Sequence, residues 1–130
     1  MNPPAASRKT ARRQALYLLY QWDLTGQELA SLYEGEPDAF ARSLAEAVAE
    51  RADSLDVRIT EASPDWPADR LGTLERNILR IGVYELEEET VPREVAINEA
   101  VVLAKRYATE DAARLVNGIL ARVAREEEAA

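Results

Sequence analysis

Between Leu74 and Leu120 the chain reads LERNILRIGVYELEEETVPREVAINEAVVLAKRYATEDAARLVNGIL, three stretches of helical periodicity divided by two short punctuations. In the first, Leu74, Ile78 and Ile81 recur at a 3.6 spacing, while Leu79, Gly82, Val83 and Leu86 widen the apolar arc past half the circumference. A helix apolar over that much of its surface has to be covered by several others, which predicts a central position for residues 73–88. Thr90-Val91-Pro92 then stops one helix and opens the next, since proline fits a helix's first turn but not its interior. That second helix should run to about Ala108, with Ala96, Ala100, Leu103, Ala104 and Tyr107 inward and Asn98, Glu99, Lys105 and Arg106 outward. Thr109 has the character of an N-cap for a last helix, and Glu110 and Asp111 sit favourably against its positive end. Ala112, Val116, Ile119 and Val123 make its core stripe, Gly118 offers a place of close approach on one edge, and the acidic tail from Arg125 frays.

The rest of the chain supplies helices to cover that centre. Met1–Ala6 reads as a loose tail. Ser7 caps a helix from about Arg8 to Leu24, stopped at Thr25-Gly26, whose core face is Ala11, Ala15, Leu18, Leu19 and Trp22. Its other side carries Lys9, Arg13, Leu16 and Tyr20, flanked by Arg12 and Tyr17. Gln27–Glu34 reads as a short helix, and Phe40, Leu44, Val48, Leu55 and Ile59 as one long amphipathic helix from Asp38 to about Ala62. Ser63–Pro67 breaks it, and a further helical turn fits Pro67–Leu71. The expectation is an all-α bundle of about seven helices. Two helical subdomains, about 8–63 and 67–126, meet at the proline-rich break.

Composition narrows the chemistry. With no histidine and no cysteine, the commonest zinc ligands and the commonest general base are missing. The five glycines are scattered rather than gathered into a phosphate loop, and Glu87-Glu88-Glu89 fan around a helix instead of converging. A binding protein that needs no cofactor is the expected class, and the lack of cysteine and of a long apolar run fits the cytoplasm. The net charge of −8 is unevenly spread: residues 1–27 carry +3 and the remainder −11. A basic arm on an acidic body attracts phosphate locally while the body repels it. Cations interleaved with rings suit RNA, charge meeting phosphate and ring meeting base. From the residues alone, the favoured reading is that Leu16 and the tyrosines pack against a second layer, leaving only the charges exposed. Glu75 and Glu85 fall inside the apolar arc and need partners there. Glu85 reads as structural, taking donors from a neighbouring helix start. Arg76 and Arg80, four residues apart on the polar strip, are solvated or meet a partner.

VAINEAVVLAK (Val95–Lys105) with the preceding Pro92, LVNGIL (Leu115–Leu120), QALYLLYQWDL (Gln14–Leu24) and LERNILRIGVYEL (Leu74–Leu86) together resemble the NusB family of bacterial transcription antitermination factors. The resemblance spans about Arg8 to Arg122, with Thr25–Leu71 contributing little. It implies RNA binding without catalysis, at the boxA element of nascent RNA. It also implies pairing with the ribosomal protein NusE and work within an RNA polymerase antitermination complex, chiefly on ribosomal RNA operons. Carried over, it assigns RNA contacts to Arg8, Lys9, Arg12, Arg13, Tyr20 and Tyr107, with Asp111 moderating affinity at the edge. Glu75 matches a position associated with NusE, and Arg76 and Arg80 adjoin it. Asn98, Asn117 and Gly118 match motif text that reads as packing and capping. Leu115 stands where the family usually has phenylalanine; a lost stacking platform there would cost roughly 1–3 kcal/mol, a purely core role almost nothing. Two alternatives remain: a helical scaffold or homodimer joined through its tyrosines, and an accessory domain of a ribosomal RNA cytosine methyltransferase. The absence of a catalytic domain after Ala130 weighs against the second.

Overall fold

A computed structural model describes residues 7–129, and the tail expected over Met1–Ala6 lies outside them. Among the described residues there are six α-helices, two 3-10 turns and no strand. Helix α1 is Arg8–Thr25, α2 Ala39–Glu50, α3 Ala52–Ala62, α4 Thr73–Glu88, α5 Arg93–Tyr107 and α6 Glu110–Ala129. The punctuation acts as the residues dictate. Ser7 accepts from the Thr10 N–H at 3.2 Å, Thr109 from that of Ala112 at 3.0 Å, and Gly26 closes α1 in the left-handed region at φ 73°. Pro92 immediately precedes α5.

Helix α4 is central, packed on by α1, α2, α3, α5 and α6, so one apolar core runs unbroken across the proline-rich break. Its Ile78, Leu79, Ile81, Val83 and Leu86 are all sealed, and a Cβ at Gly82 would lie 2.7 Å from Leu120 of α6. Gly82 leaves room for the Leu120 side chain where α4 meets α6. Gly118, expected to be the point of approach, is exposed and has open space where its Cβ would be.

Three other expectations are corrected. The helix from 38 to 62 is two helices, because Arg51 (φ −100°, ψ 10°) ends α2 and begins α3. The bend lets one apolar stripe change partners, α2 lying mainly on α1 and α3 on α4 and α6. Gln27–Glu34 forms only a 3-10 turn at Leu29–Leu32. The C-terminal turn does not fray at Arg125: Glu127 and Glu128 are held by Arg58 and Arg93, each at 2.8 Å, and α6 continues to Ala129. Among the described residues, no helix is long and apolar enough to cross a membrane.

Candidate nucleic-acid interface

Helices α1 and α5 both rest on α4, and a furrow of about 320 Å³ opens between them. Leu16 and Leu74 line its floor, Arg13, Tyr17 and Tyr20 the α1 wall, and Tyr107 the α5 wall. Leu16 is buried, packed against a second layer, as one of the two readings of its stripe had it. Tyr107, read inward from periodicity, is 44% exposed, and Tyr17 is 58% exposed. Aromatic walls with a guanidinium at the rim suit a flat heterocycle: a ring can stack on it and the cation can meet the attached phosphate. Tyr17, read on the flank of the cationic stripe, joins this wall, and Leu74 was not foreseen here.

Arg13 is held by a bond from its Nη2 to Thr10 Oγ1 at 3.2 Å, and it also lines a second groove toward Tyr33 and Asp38. Lys9 is exposed, with Nζ 3.7 Å from Glu99 of α5, which is buried rather than outward-facing. The Arg8 guanidinium lies 4.1 Å above the Phe40 ring, on the α2 side. Arg12 departs from the expected set. It is 3% exposed, and its Nε and Nη2 each donate to a Glu85 oxygen at 2.8 Å. The hydrogen bond to Glu85 raises the Arg12 pKa further, outweighing burial. Arg12 therefore cannot reach a phosphate; it is the donor that the acid inside the α4 arc required.

Arg76 and Arg80, expected to face a partner, are also internal. Arg76 donates to Asp23 Oδ2 at 2.9 Å and to the carbonyls of Ala68 and Leu71. Arg80 forks onto Asp56 at 2.7 and 2.6 Å and reaches Asp23 at 3.0 Å, where the Asn77 amide also donates. Burial would raise the Asp23 carboxyl, but the bonds from Arg76 and Asn77 and the charge of Arg80 hold it below the usual range. This network joins the end of α1 to α3 and α4.

Glu75 and Asp111 meet in a separate groove of about 480 Å³ with Trp66, Arg70, Ala112 and Leu115. Leu74 and Glu75, consecutive at the start of α4, thus face different grooves. A Cβ at Gly72 would collide with the Glu75 carboxylate, so glycine there lets Glu75 fold back over the helix entry. Asp111 is highly exposed and pairs with Arg114. Leu115 is half-buried, and Trp66, unforeseen, is exposed. Asn98, Asn117 and Gly118 lie on the surface, not in packing.

Residues 9–125 match the family model described as the NusB family. The chain belongs to the NusB family. Transcription antitermination protein NusB of Myxococcus xanthus is 39% identical over 91% of this chain and 94% of its own length. That of Rubrobacter xylanophilus is 40% identical over 88% and 87%. Among solved structures, T. maritima NusB superposes with a TM-score of 0.83 at 32% identity, covering 95% of this chain and 94% of its own. NusB in a crystal structure of antitermination factors NusB and NusE in complex with dsRNA superposes at 0.81, again with 32% identity, over 92% and 96%. Membership settles the all-helical fold and the antitermination class. Which side chains act is a matter of geometry.

Proposed function

We propose that the furrow between α1 and α5 is the RNA-facing surface and that the groove holding Glu75 and Asp111 faces NusE. The chain is a transcription antitermination protein of the NusB family, an RNA-binding factor that pairs with NusE. In this reading it is a cytoplasmic, non-enzymatic protein. It recognises boxA RNA and delivers it to the RNA polymerase antitermination complex, chiefly on ribosomal RNA operons. The two-subdomain division at Ser63–Pro67 belongs to the same reading.

One observation carries it. Of 16 cations, 10 have a carboxylate within 4.0 Å among the described residues. The six without one are Arg8, Arg13, Arg70, Lys105, Arg106 and Arg125. Arg13 is among them and stands in the wall of the aromatic furrow. On an acidic protein, an un-neutralised guanidinium beside aromatic rings is where a phosphodiester strand gains most. The contact set is Arg8, Lys9, Arg13, Tyr20 and Tyr107, without Arg12. Asp111 acts from the neighbouring groove.

Arg13→Glu combined with Tyr20→Ala is expected to weaken boxA RNA binding by about a hundredfold, one phosphate contact and one stacking contact being lost together. A fluorescence anisotropy titration measures it, with circular dichroism to check helicity; affinity equal to the unsubstituted protein's overturns the furrow assignment. Exposure of Tyr17 and Tyr107 also suits a homodimer interface. Sedimentation decides between them, because a tyrosine-mediated dimer would dissociate in Tyr107→Ala. Glu75→Lys should lower NusE affinity about tenfold by placing a cation in an acidic groove. Calorimetry showing unchanged association would remove Glu75 from the interface.

A further inference from the structure

Arg106 is exposed at the end of α5, with no carboxylate within 4.0 Å among the described residues. Its guanidinium carbon lies 5.5 Å from the centroid of the Tyr107 ring, which forms the α5 wall of the furrow. Helix geometry fixes the direction it takes. At 100° per residue, Arg106 shares a flank of α5 with Glu99, seven residues and two turns earlier. Glu99 reaches across to Lys9 of α1, so that flank looks toward α1. Lys105 carries the same charge one residue earlier. It lies about 100° further round, nearly opposite the buried stripe of Ala96, Ala100 and Leu103. A cation near a helix C-terminus is favourable wherever it points, so the dipole explains both residues but not the ring contact.

From this we infer that Arg106 is a further RNA-binding residue, gripping a backbone phosphate from the α5 bank while Arg13 grips from the α1 bank. A single strand then lies across the furrow between two guanidinium groups, a base between Tyr20 and Tyr107, its phosphates held on either side. Arg106 resting on Tyr107 also limits where that ring can swing, so phosphate and base are held by one unit. The inference rests on the furrow being the RNA surface.

The test compares Arg106→Ala with Lys105→Ala on fluorescein-labelled boxA RNA, each titrated at several salt concentrations. Removing one phosphate contact from a single strand should reduce the slope of log affinity against log salt by about 0.7 and weaken binding several-fold at moderate salt. Arg106→Lys, which keeps the charge, should keep the slope. Lys105→Ala should change neither quantity. An unchanged slope in Arg106→Ala overturns the assignment, as does an equal loss in Lys105→Ala, which would mean diffuse attraction rather than a contact. If Arg13→Glu with Tyr20→Ala also binds normally, the furrow reading itself has failed. If that variant is defective and Arg106→Ala is not, only the second bank falls.

Discussion

Replacing Glu85 with alanine is expected to destabilise the protein by about 3–5 kcal/mol, because it leaves a guanidinium sealed in the core with no counter-charge. Arg12 and Glu85 are 3% and 2% exposed, and both bonds of the fork measure 2.8 Å. Arg12→Ala should cost a similar amount by stranding the carboxylate. The loss should appear in urea denaturation as a lower midpoint at constant slope. The pair need not contribute much in net terms, since taking two ions out of water costs nearly what their attraction returns. Arg12→Met with Glu85→Leu should therefore recover most of the stability lost in either single variant. Recovery of nothing would mean that the pair is coupled to something beyond itself, with Glu99 the nearest candidate, since its charge also acts on Arg12. A loss below about 1 kcal/mol in Glu85→Ala would show water reaching the site, contrary to the burial of both side chains. RNA binding in any Arg12 variant must be read against its stability, because this arginine acts on the fold.

The second large effect is expected at Arg80. Its removal frees Asp23 and Asp56, which it bridges along α4's polar strip, and Arg80→Ala should cost about 2–4 kcal/mol. Asp23 gives the network a pH signature. Its carboxyl is held below the ordinary range in the folded protein, against burial, by Arg76, Asn77 and Arg80. A carboxyl depressed on folding contributes stability that is complete above its unfolded pKa, near pH 4, and is lost as pH falls through the lower folded value. Glu87 works in the opposite sense, because burial raises it. The comparison is therefore between the unsubstituted protein and Asp23→Asn, followed by denaturation from pH 7 to pH 3. The amide variant should be less stable at neutral pH and show a flatter acid limb. An unaltered limb would mean that the aspartate is not depressed.

These two networks mark the limit of what periodicity could reveal. Ser7, Gly26, Pro92 and Thr109 act locally, through their own backbone or a neighbour three residues away, so the ends they set were readable in place. The stripes of α4 and α6 were readable for the same reason. Arg12 and Arg13 are adjacent and chemically identical, yet one is sealed against Glu85, 73 residues away, and the other lines an open furrow. Arg76 and Arg80 looked like a solvated or partner-facing pair until Asp23 and Asp56 were brought beneath them. The break at Arg51 was hidden because a 3.6-residue stripe continues across a bend almost as it does along a straight helix. Gly118 and Gly82 show the same thing in reverse, since a glycine's purpose depends on what lies opposite it.

The sequence by itself determined the helical class, most of the punctuation, the basic leading edge and the family, because each is written in neighbouring residues or in motif text. Tertiary structure alone decided which cations are neutralised by a carboxylate. Neutralisation is a pairwise matter: an arginine is engaged or free according to whether a distant segment brings a carboxylate within about 4 Å, where low dielectric makes the attraction strong. No pattern along the chain carries that distance.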